Sequence, residues 1–347
     1  MELVTNYGIL KMEINENEIK VFSDIPFMKF EKEFPLSEIK NATEFFKSKK
    51  SEIEKIIQEM EEKKKKKLVH DSGLFNKVYN LIVKKNARKI LLYGPTGTGK
   101  TFSVLSVCKK LKEERKINDY LLFHMSSGME DIDLLGKFIP QENKTLKFEE
   151  SELVKFIKKA TKEKVVIILD EFNRAHSKAL NILIPLLDEK DNFVYLNNYI
   201  NNEIIKVPSH NLIFMLTANF GGNYIGTYKV DSAILNRIEY SIFVDYQDKL
   251  EQELISYLPK DKQKIVLEIR NFLRELYKEG SIEPFSTRDL KIMAKEISYI
   301  DLNFESIWNA IEPIVYKLIK VDMFGYPDEE LIEQIKEFIK KLIEGGE

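Results

Sequence analysis

Cysteine and long apolar runs are scarce in this chain of 347 residues. The single cysteine, Cys108, excludes an internal disulfide and gives no indication of a metal site. No apolar run approaches the ~18 residues that a membrane-spanning helix requires. The first residues also lack the basic-then-apolar profile of a signal peptide. We therefore expect a cytoplasmic protein with no membrane span.

Net charge is also nearly absent, because 54 Lys and Arg residues are offset by 56 Asp and Glu, which gives a formal charge of −2. This balance argues against a dedicated nucleic-acid coat, although it is compatible with a local basic face. Neither an internal repeat nor a Gly/Ser-rich linker is evident. The length suits two or three domains of ~100–200 residues each.

Three regions differ in their residue patterns. Residues 1–68 begin with short apolar runs that reverse often, and then turn helical from about Ser37 to Lys67. This pattern predicts an accessory region of short strands followed by a long helix, with one apolar stripe formed by Ala42, Phe46, Ile53, Ile57 and Met60. Residues 69–247 alternate short apolar segments with helical ones, and residues 248–347 are helical throughout.

The apolar segments of the middle region predict buried parallel strands, because a strand covered on both faces is apolar at every position. They form an α/β sandwich with a five-stranded parallel sheet. The five segments are Lys89–Tyr93, Tyr120–Met125, Val165–Leu169, Leu212–Thr217 and Ile242–Val244. The last region has helical periods over Ile265–Leu276, Leu290–Ile297, Ile307–Ile319 and Leu331–Ile343, which predict a helical bundle.

A phosphate-binding motif follows the first predicted strand. The sequence GPTGTGKT fits G-x-x-x-x-G-K-[ST], in which the glycines let successive backbone N–H groups point at phosphates. Lys100 is expected to reach the β- and γ-phosphates of a nucleotide, and Thr101 to hold Mg²⁺. The predicted nucleotide contacts are Gly94, Pro95, Thr96, Gly97, Thr98, Gly99, Lys100, Thr101 and Phe102.

Polar residues end two further predicted strands. Asp170 and Glu171 follow Val165–Leu169, and Asn219 follows Leu212–Thr217. Since ligands bind at the carboxyl ends of parallel strands, these side chains should lie near the phosphates. We expect Asp170 to bind Mg²⁺, Glu171 to polarise the attacking water and Asn219 to orient that water. Alternatively, Asp170 and Glu171 are solvated residues at the end of a strand, and Asn219 is a turn residue.

The pieces GPTGTGKT, VVIILDEFNRA, LIFMLTAN, DSAILNRI and FSTRDL occur in the order found in AAA+ ATPases. The chain therefore resembles that family over about residues 70–300, and no resemblance is evident for the first 68 residues. DEFNRA, at Asp170–Ala175, and the segment Glu130–Gly136 are similar to signatures of the MoxR and dynein-related subfamily. The resemblance implies a P-loop core followed by a helical lid, with ATP and Mg²⁺ as cofactors.

The resemblance also implies roles for two arginines. Arg237 matches the arginine finger, which would complete the site of a neighbouring subunit by stabilising phosphoryl charge. Arg288 matches sensor 2, which would contact the γ-phosphate at the start of a helix that Ser286 could cap. A finger of this kind requires a closed head-to-tail homo-oligomer, with a hexameric ring as the leading candidate. Unremarkable surface arginines are the alternative.

Function and partners stay open between classes. The preferred hypothesis is a MoxR-like ATPase that remodels a protein client or complex, with residues 1–68 docking an adaptor or client. The alternatives are a nucleic-acid translocase or restriction-system motor, and a slowly hydrolysing structural switch. Pore-facing loops would be Gly136–Ser151 and Phe193–Val207, with Phe138, Tyr195 and Tyr199 either gripping substrate or packing within their hairpins. A group of basic residues could bind nucleic acid, or could simply be solvated: Lys63–Lys67, Lys84, Lys85 and Arg88. His124 and Cys108 are expected to pack in the core.

Overall fold

The structure is a computed structural model that describes residues 1–5, 8–15, 18–25, 28–70, 73–142, 145–219 and 232–345. Internal contacts divide the chain into two compact units, Met1–Leu68 and Val69–Glu347. The division at residue 247 that the sequence predicts within the second unit stays a prediction. No helix in the described part of the chain is long and apolar enough to cross a membrane.

The first unit is a four-stranded antiparallel sheet followed by one long helix. Its elements are β1 (Glu2–Thr5), β2 (Gly8–Ile14), β3 (Glu18–Ser23), β4 (Phe30–Pro35), a 3₁₀ turn (Leu36–Glu38) and α1 (Ile39–His70). The strands pair in chain order. In β3 the residues Ile19 and Val21 are buried, while Lys20 between them forms ion pairs on the other face. Such period-two alternation is typical of a sheet with one covered face.

The predicted helical stripe covers the sheet of this unit. Ala42, Phe46 and Ile53 are fully or nearly fully buried in one cluster with the strand residues, and Ile57 is partly buried beside them. The side chain of Met60 lies outside the described residues. The strand-plus-helix prediction for this region is confirmed.

The second unit contains the remaining strands and helices. Its first part comprises α2 (Gly73–Lys85), β5 (Lys89–Tyr93), α3 (Lys100–Glu113), β6 (Asp119–His124), α4 (Asp131–Leu135), β7 (Gly136–Pro140), β8 (Leu146–Glu150), α5 (Glu152–Lys159), β9 (Val165–Asp170), α6 (Ser177–Asn181), α7 (Ile184–Leu187), β10 (Phe193–Asn198), β11 (Glu203–Pro208), β12 (Leu212–Ala218), α8 (Ser232–Leu235) and β13 (Tyr240–Phe243). Short 3₁₀ turns occur at Phe172–Arg174 and Ser209–Asn211.

The five predicted strands form one parallel sheet in the order β13-β5-β12-β9-β6. Both faces of this sheet are buried. In β9, for example, Ile167 and Leu169 belong to the apolar cluster on one face, whereas Val166 and Ile168 belong to the cluster on the other. Burial on both faces explains why these strands are mainly apolar instead of alternating between apolar and polar residues. The predicted parallel α/β sheet is therefore confirmed.

Five helices follow the sheet and enclose an apolar cluster of their own. They are α9 (Asp248–Leu254), α10 (Lys260–Lys278), α11 (Thr287–Ser298), α12 (Phe304–Leu318) and α13 (Glu329–Glu344). Helix α11 begins with a capping box, in which the Ser286 hydroxyl accepts from the Asp289 N–H and the Asp289 carboxylate accepts from the Ser286 N–H. The predicted helical region is confirmed.

Candidate active site

Three adjacent strands end at the same edge of the sheet. The phosphate-binding motif follows β5, and Asn219 follows β12. Asp170 is the last residue of β9, and Glu171 comes directly after it. Strand β12 pairs with both β5 and β9, so the residue after it lies between the other two groups. The convergence predicted from the apolar runs is therefore a direct consequence of strand order.

The phosphate-binding loop is closed by two glycines that have no room for a side chain. Gly94 has φ of 145°, and a Cβ there would lie 2.2 Å from the carbonyl oxygen of Val244. Gly97 has φ of 71°, and a Cβ there would lie 2.4 Å from Cβ of Ser286, at the start of α11. These conformations and contacts require glycine at both positions.

Lys100 lies buried inside this loop. Its ammonium group donates to the carbonyl oxygens of Gly94, at 3.0 Å, and Pro95, at 2.6 Å. Burial lowers the pKa of Lys100 to about 8, and the nearby carboxylates of Asp170 and Glu171 oppose that shift. A bound phosphate would supply the negative charge that the buried ammonium group needs.

Asp170 is held by hydroxyl groups from two elements. Thr101 Oγ1 on α3 donates to Asp170 Oδ1 at 2.6 Å, and Thr217 Oγ1 on β12 donates to the same oxygen at 2.5 Å. Thr217 was not predicted from the sequence, although a single polar residue within the apolar strand LIFMLTA was a signal that could have revealed it. Its contacts fix the carboxylate against the end of the phosphate-binding loop.

The prediction that His124 packs in the core is wrong. It is the last residue of β6, its side chain is 69% exposed, and its Nδ1 lies 3.0 Å from Asp170 Oδ2. Because β6 pairs with β9 in parallel, with His124 opposite Asp170, the histidine reaches the same strand edge. Cys108 is fully buried, as expected, and its burial raises the pKa of the thiol.

The oxygen atoms around Thr101 and Asp170 fit the ligands that Mg²⁺ prefers. A hydroxyl and a carboxylate oxygen lie 2.6 Å apart beside the phosphate loop. Among the described residues, no group of three or more His, Cys, Asp or Glu side chains is placed to hold a metal ion. Mg²⁺ in nucleotide sites commonly takes one or two protein oxygens and completes its shell with phosphates and water. The residues present therefore suit a metal that arrives with a nucleotide.

Glu171 is held on both of its carboxylate oxygens. The Asn219 side-chain amide donates to Oε1 at 3.1 Å, and Arg174 Nε lies 2.8 Å from Oε2. The Glu171 backbone is left-handed, with φ of 52°, and its N–H donates to Thr217 Oγ1. Such a conformation in a residue other than glycine is strained and persists only where its surroundings hold it.

Asn173 sets the position of Asn219. Its buried side-chain amide donates to the Asn219 carbonyl at 2.8 Å, and its oxygen accepts from the Asn219 N–H at 3.3 Å. This two-way pairing joins the turn after β9 to the end of β12. Neither Asn173 nor Arg174 was predicted as a site residue, although both lie within the DEFNRA segment.

In the described part of the chain, the two remaining predicted arginines form no hydrogen bond or ion pair with these groups. Arg237 donates to the carbonyl of Ala233 and forms an ion pair with Asp188 Oδ2 at 2.8 Å, while its buried Nε has no partner among the described residues. Arg288 is exposed and has no hydrogen-bond or ion-pair partner in the described part of the chain.

The two predicted pore loops form antiparallel hairpins, β7 with β8 and β10 with β11. Phe138 is about half exposed and packs edge-on against Phe148, and Tyr199 is similarly exposed and donates to Asp131. Of the predicted basic residues, Arg88 pairs with Glu189 at 2.9 Å. The side chains of Lys63–Lys67 lie outside the described residues.

A buried-lysine phosphate loop beside an acidic strand end and an asparagine, on a parallel sheet, defines a P-loop nucleotide-binding protein. The family model of the AAA domain, dynein-related subfamily, matches residues 89–238. The chain belongs to the AAA+ ATPases, and its enzymatic activity is the hydrolysis of ATP.

The chain is also similar to individual proteins. An uncharacterized protein of Staphylococcus aureus is 32% identical over 226 residues, which are 61% of this chain and 77% of that protein. The chaperone protein ClpB of Clostridium tetani is 25% identical over 59% of this chain, but the match spans only 24% of ClpB. A crystal structure of a Cytophaga hutchinsonii protein assigned as an ATPase aligns with a TM-score of 0.38 and 17% identity, covering 82% of this chain and 98% of that one.

Proposed function

We propose that this AAA+ ATPase forms a ring that couples ATP hydrolysis to the remodelling of a protein client. The observation that carries the catalytic part is the Glu171 carboxylate, which lies 3.1 Å from the Asn219 amide at the same sheet edge as the phosphate loop. In this proposal Glu171 accepts a proton from the attacking water, and Asn219 orients the Glu171 carboxylate and the water. Lys100 and the loop N–H groups hold the phosphates.

Asp170 and Thr101 are the proposed magnesium ligands. When bound, Mg²⁺ would neutralise charge on the phosphate oxygens. Thr217 keeps the Asp170 carboxylate pointing at Thr101 and is a positioning residue in this proposal. Pro95, Thr96, Thr98 and Phe102 complete the proposed nucleotide contacts.

The proposal that the protein forms a ring rests on Arg237 and Arg288. Arg237 is paired with Asp188 and Arg288 is exposed, and among the described residues neither forms a hydrogen bond or ion pair with Glu171 or Lys100. We assign Arg237 to the site of a neighbouring subunit and Arg288 to the γ-phosphate. This assignment requires head-to-tail assembly, for which a hexamer is the preferred stoichiometry.

Protein remodelling is the preferred use of that ring, in the cytoplasm, with residues 1–68 as the docking region for a client or adaptor. The half-exposed aromatic residues Phe138 and Tyr199 on two hairpins are compatible with gripping an extended chain. The similarity to a chaperone protein is consistent with this proposal. Movement of nucleic acid is the alternative that the test below must exclude.

The test uses three forms of the full chain, purified from the native host with Mg·ATP. Lys100→Ala should bind nucleotide poorly and give no turnover, whereas Glu171→Gln should bind ATP and hydrolyse it slowly. The proposal expects a Glu171→Gln ring with a stoichiometric protein that the hydrolysing wild type releases and Lys100→Ala does not retain. Nuclease-sensitive nucleic acid on the ring, seen in the 260/280 nm absorbance ratio, would replace remodelling with translocation.

The assignment of Arg237 has a separate test. Mixed rings of Arg237→Ala and Glu171→Gln subunits contain some interfaces that pair an intact finger with an intact catalytic residue. These rings should recover part of the turnover that each variant lacks alone. If subunits that demonstrably co-assemble show no recovery, Arg237 does not act across the interface.

A further inference from the structure

A buried ionic cluster lies among the helices that follow the sheet. Glu251 on α9 is fully buried and accepts from Arg274 on α10 through both oxygens, at 2.8 and 2.7 Å. Arg270, one turn earlier on α10, donates to the same carboxylate at 2.9 Å. Burial disfavours the charged Glu251 carboxylate, but the hydrogen bonds and charges of Arg274, Thr287 and Arg270 together outweigh this effect and hold its pKa below the usual value.

Stability alone is a poor explanation for this cluster. Taking charges out of water costs several kcal/mol per ion, and well-packed apolar residues often serve as well or better in such places. Buried ionic groups are instead suited to fixing one geometry, because their hydrogen bonds are directional. The cluster is therefore expected to fix the relative position of the segments that it connects.

One branch of the cluster leads to the proposed sensor arginine. Thr287, the first residue of α11, donates its hydroxyl to Glu251 Oε1 at 2.5 Å. Arg288 is the next residue in the chain. Ser286, on the other side of Thr287, occupies the space in which a Cβ on Gly97 would lie. The first turn of α11 is thus fixed to Glu251 and touches the phosphate loop.

A second branch leads to the phosphate loop itself. The guanidinium carbon of Arg274 lies 3.8 Å from the ring centroid of Tyr246, which is within the range of a cation–π contact. The Tyr246 hydroxyl donates to the carbonyl oxygen of Thr96 at 3.0 Å. Two adjacent loop residues, Thr96 and Gly97, therefore face the two branches that meet at Glu251.

We infer that Glu251 is a positioning residue for ATP hydrolysis, because it fixes the helix start that carries Arg288 relative to the phosphate loop. The inference rests on the proposed role of Arg288. Through its hydrogen bond with Thr287, Glu251 sets the backbone position of Arg288. Through Arg274 and Tyr246, it connects that position to Thr96 of the phosphate loop. A nucleotide that shifts the loop would then move the arginine with it.

The test removes one branch at a time and leaves the ion pairs in place. Thr287→Val deletes the hydroxyl bond to Glu251, and Thr287→Ser retains a hydroxyl there. Displacement of a catalytic group by 1 Å can cost up to ~100-fold in rate, so a partial displacement should lower kcat by roughly tenfold with little change in KM. Thr287→Ser should restore most of the turnover, and Tyr246→Phe should mainly raise KM for ATP.

One variant background and one control variant separate a positioning role from general damage to the protein. In an Arg288→Ala chain, Thr287→Val should cause no further loss of kcat, since its effect acts through that arginine. Asp248→Asn is the matched control, because Asp248 also pairs with Arg270, at 3.0 Å, but its side chain is 73% exposed and touches neither branch. Its turnover and melting temperature should equal those of the wild type.

The inference is overturned if folded Thr287→Val, with a wild-type melting temperature, hydrolyses ATP at the wild-type rate while Arg288→Ala is impaired. It is equally overturned if the losses from Thr287→Val and Arg288→Ala multiply. Failure of the proposed function looks different, because Arg288→Ala itself would then retain full turnover. Glu251→Gln, read only where circular dichroism shows a native fold, should combine the kcat and KM effects of both branches.

Discussion

The buried ammonium group of Lys100 predicts that nucleotide binding takes up a proton. Lys100 has a pKa of about 8 in the nucleotide-free protein because its burial disfavours the charged form. Phosphate groups on the same site would favour the charged form strongly. ADP, added without magnesium, is a suitable ligand because no metal charge then acts on the lysine.

The size of the effect follows from that pKa. A group with a pKa of about 8 is about half neutral at pH 8 and about nine-tenths neutral at pH 9. Binding of ADP should therefore take up about 0.5 proton at pH 8 and about 0.9 at pH 9. Since only the charged form binds well, the affinity should fall about fivefold between these pH values.

Without nucleotide the sign of the pH dependence is reversed. The unfolded chain, with a lysine pKa near 10.5, binds more protons at this position than the folded chain does. The cost of burying Lys100 therefore decreases, and stability rises, from pH 8 to about 10.5. The proton uptake on ADP binding is measured directly by calorimetric titration of the folded protein with ADP in buffers of different ionisation enthalpy. Lys100→Arg, which stays charged throughout, should take up no proton at this position. An uptake below about 0.1 proton at both pH values in the wild type would refute the reasoning.

Three further predictions concern the residues around the catalytic groups. Thr217→Val keeps the shape but removes the hydroxyl that holds Asp170, so turnover in a coupled ATPase assay should fall about tenfold; an unchanged rate would contradict it. Asn173→Ala leaves buried backbone groups unpaired, and urea denaturation should show a loss of about 1–3 kcal/mol. Asp188→Asn releases Arg237 from an exposed pair worth about 0.2–1 kcal/mol, so turnover at ring-forming concentrations should rise by at most about fivefold, and a fall would argue that the pair aids catalysis.

The sheet could be predicted because burial acts on every residue of its strands. A run such as Val165–Leu169 has no polar position, and a segment of that length with this pattern is typical of a strand covered on both faces. Strand order carries no comparable signal in one sequence. Asn219 was nevertheless expected near Glu171, since all parallel strands end at one edge whatever their order.

What the sequence did not reveal depends on side chains from distant segments. Lys100, Asp170 and Asn219 belong to short motifs, whereas Thr217 matters because β12 happens to pair with β9. His124 lies inside the predicted strand Tyr120–Met125 and was expected in the core, but in the structure β6 ends at His124 and its side chain is exposed. Exposure at a strand end is set by the neighbouring elements, which period and composition do not describe.

The distribution of charge around the nucleotide site supports an assembly more strongly than any single motif does. Among the described residues at this edge of the sheet there are two carboxylates, Asp170 and Glu171, and one buried cation, Lys100. Hydrolysis of a triphosphate concentrates negative charge on the transferred group, and a single lysine is a limited counterweight to that charge even when it is protonated. Arg174 pairs with Glu171, so its charge is already engaged. Arg288 on α11 and Arg237 beside α8 are the cations that we propose to supply the missing charge. Arg237 is paired with Asp188, so it would have to leave that pair, and both would have to reach the phosphates by movement or from a second subunit. A site of this kind can remain idle in an isolated chain and become active when neighbours assemble.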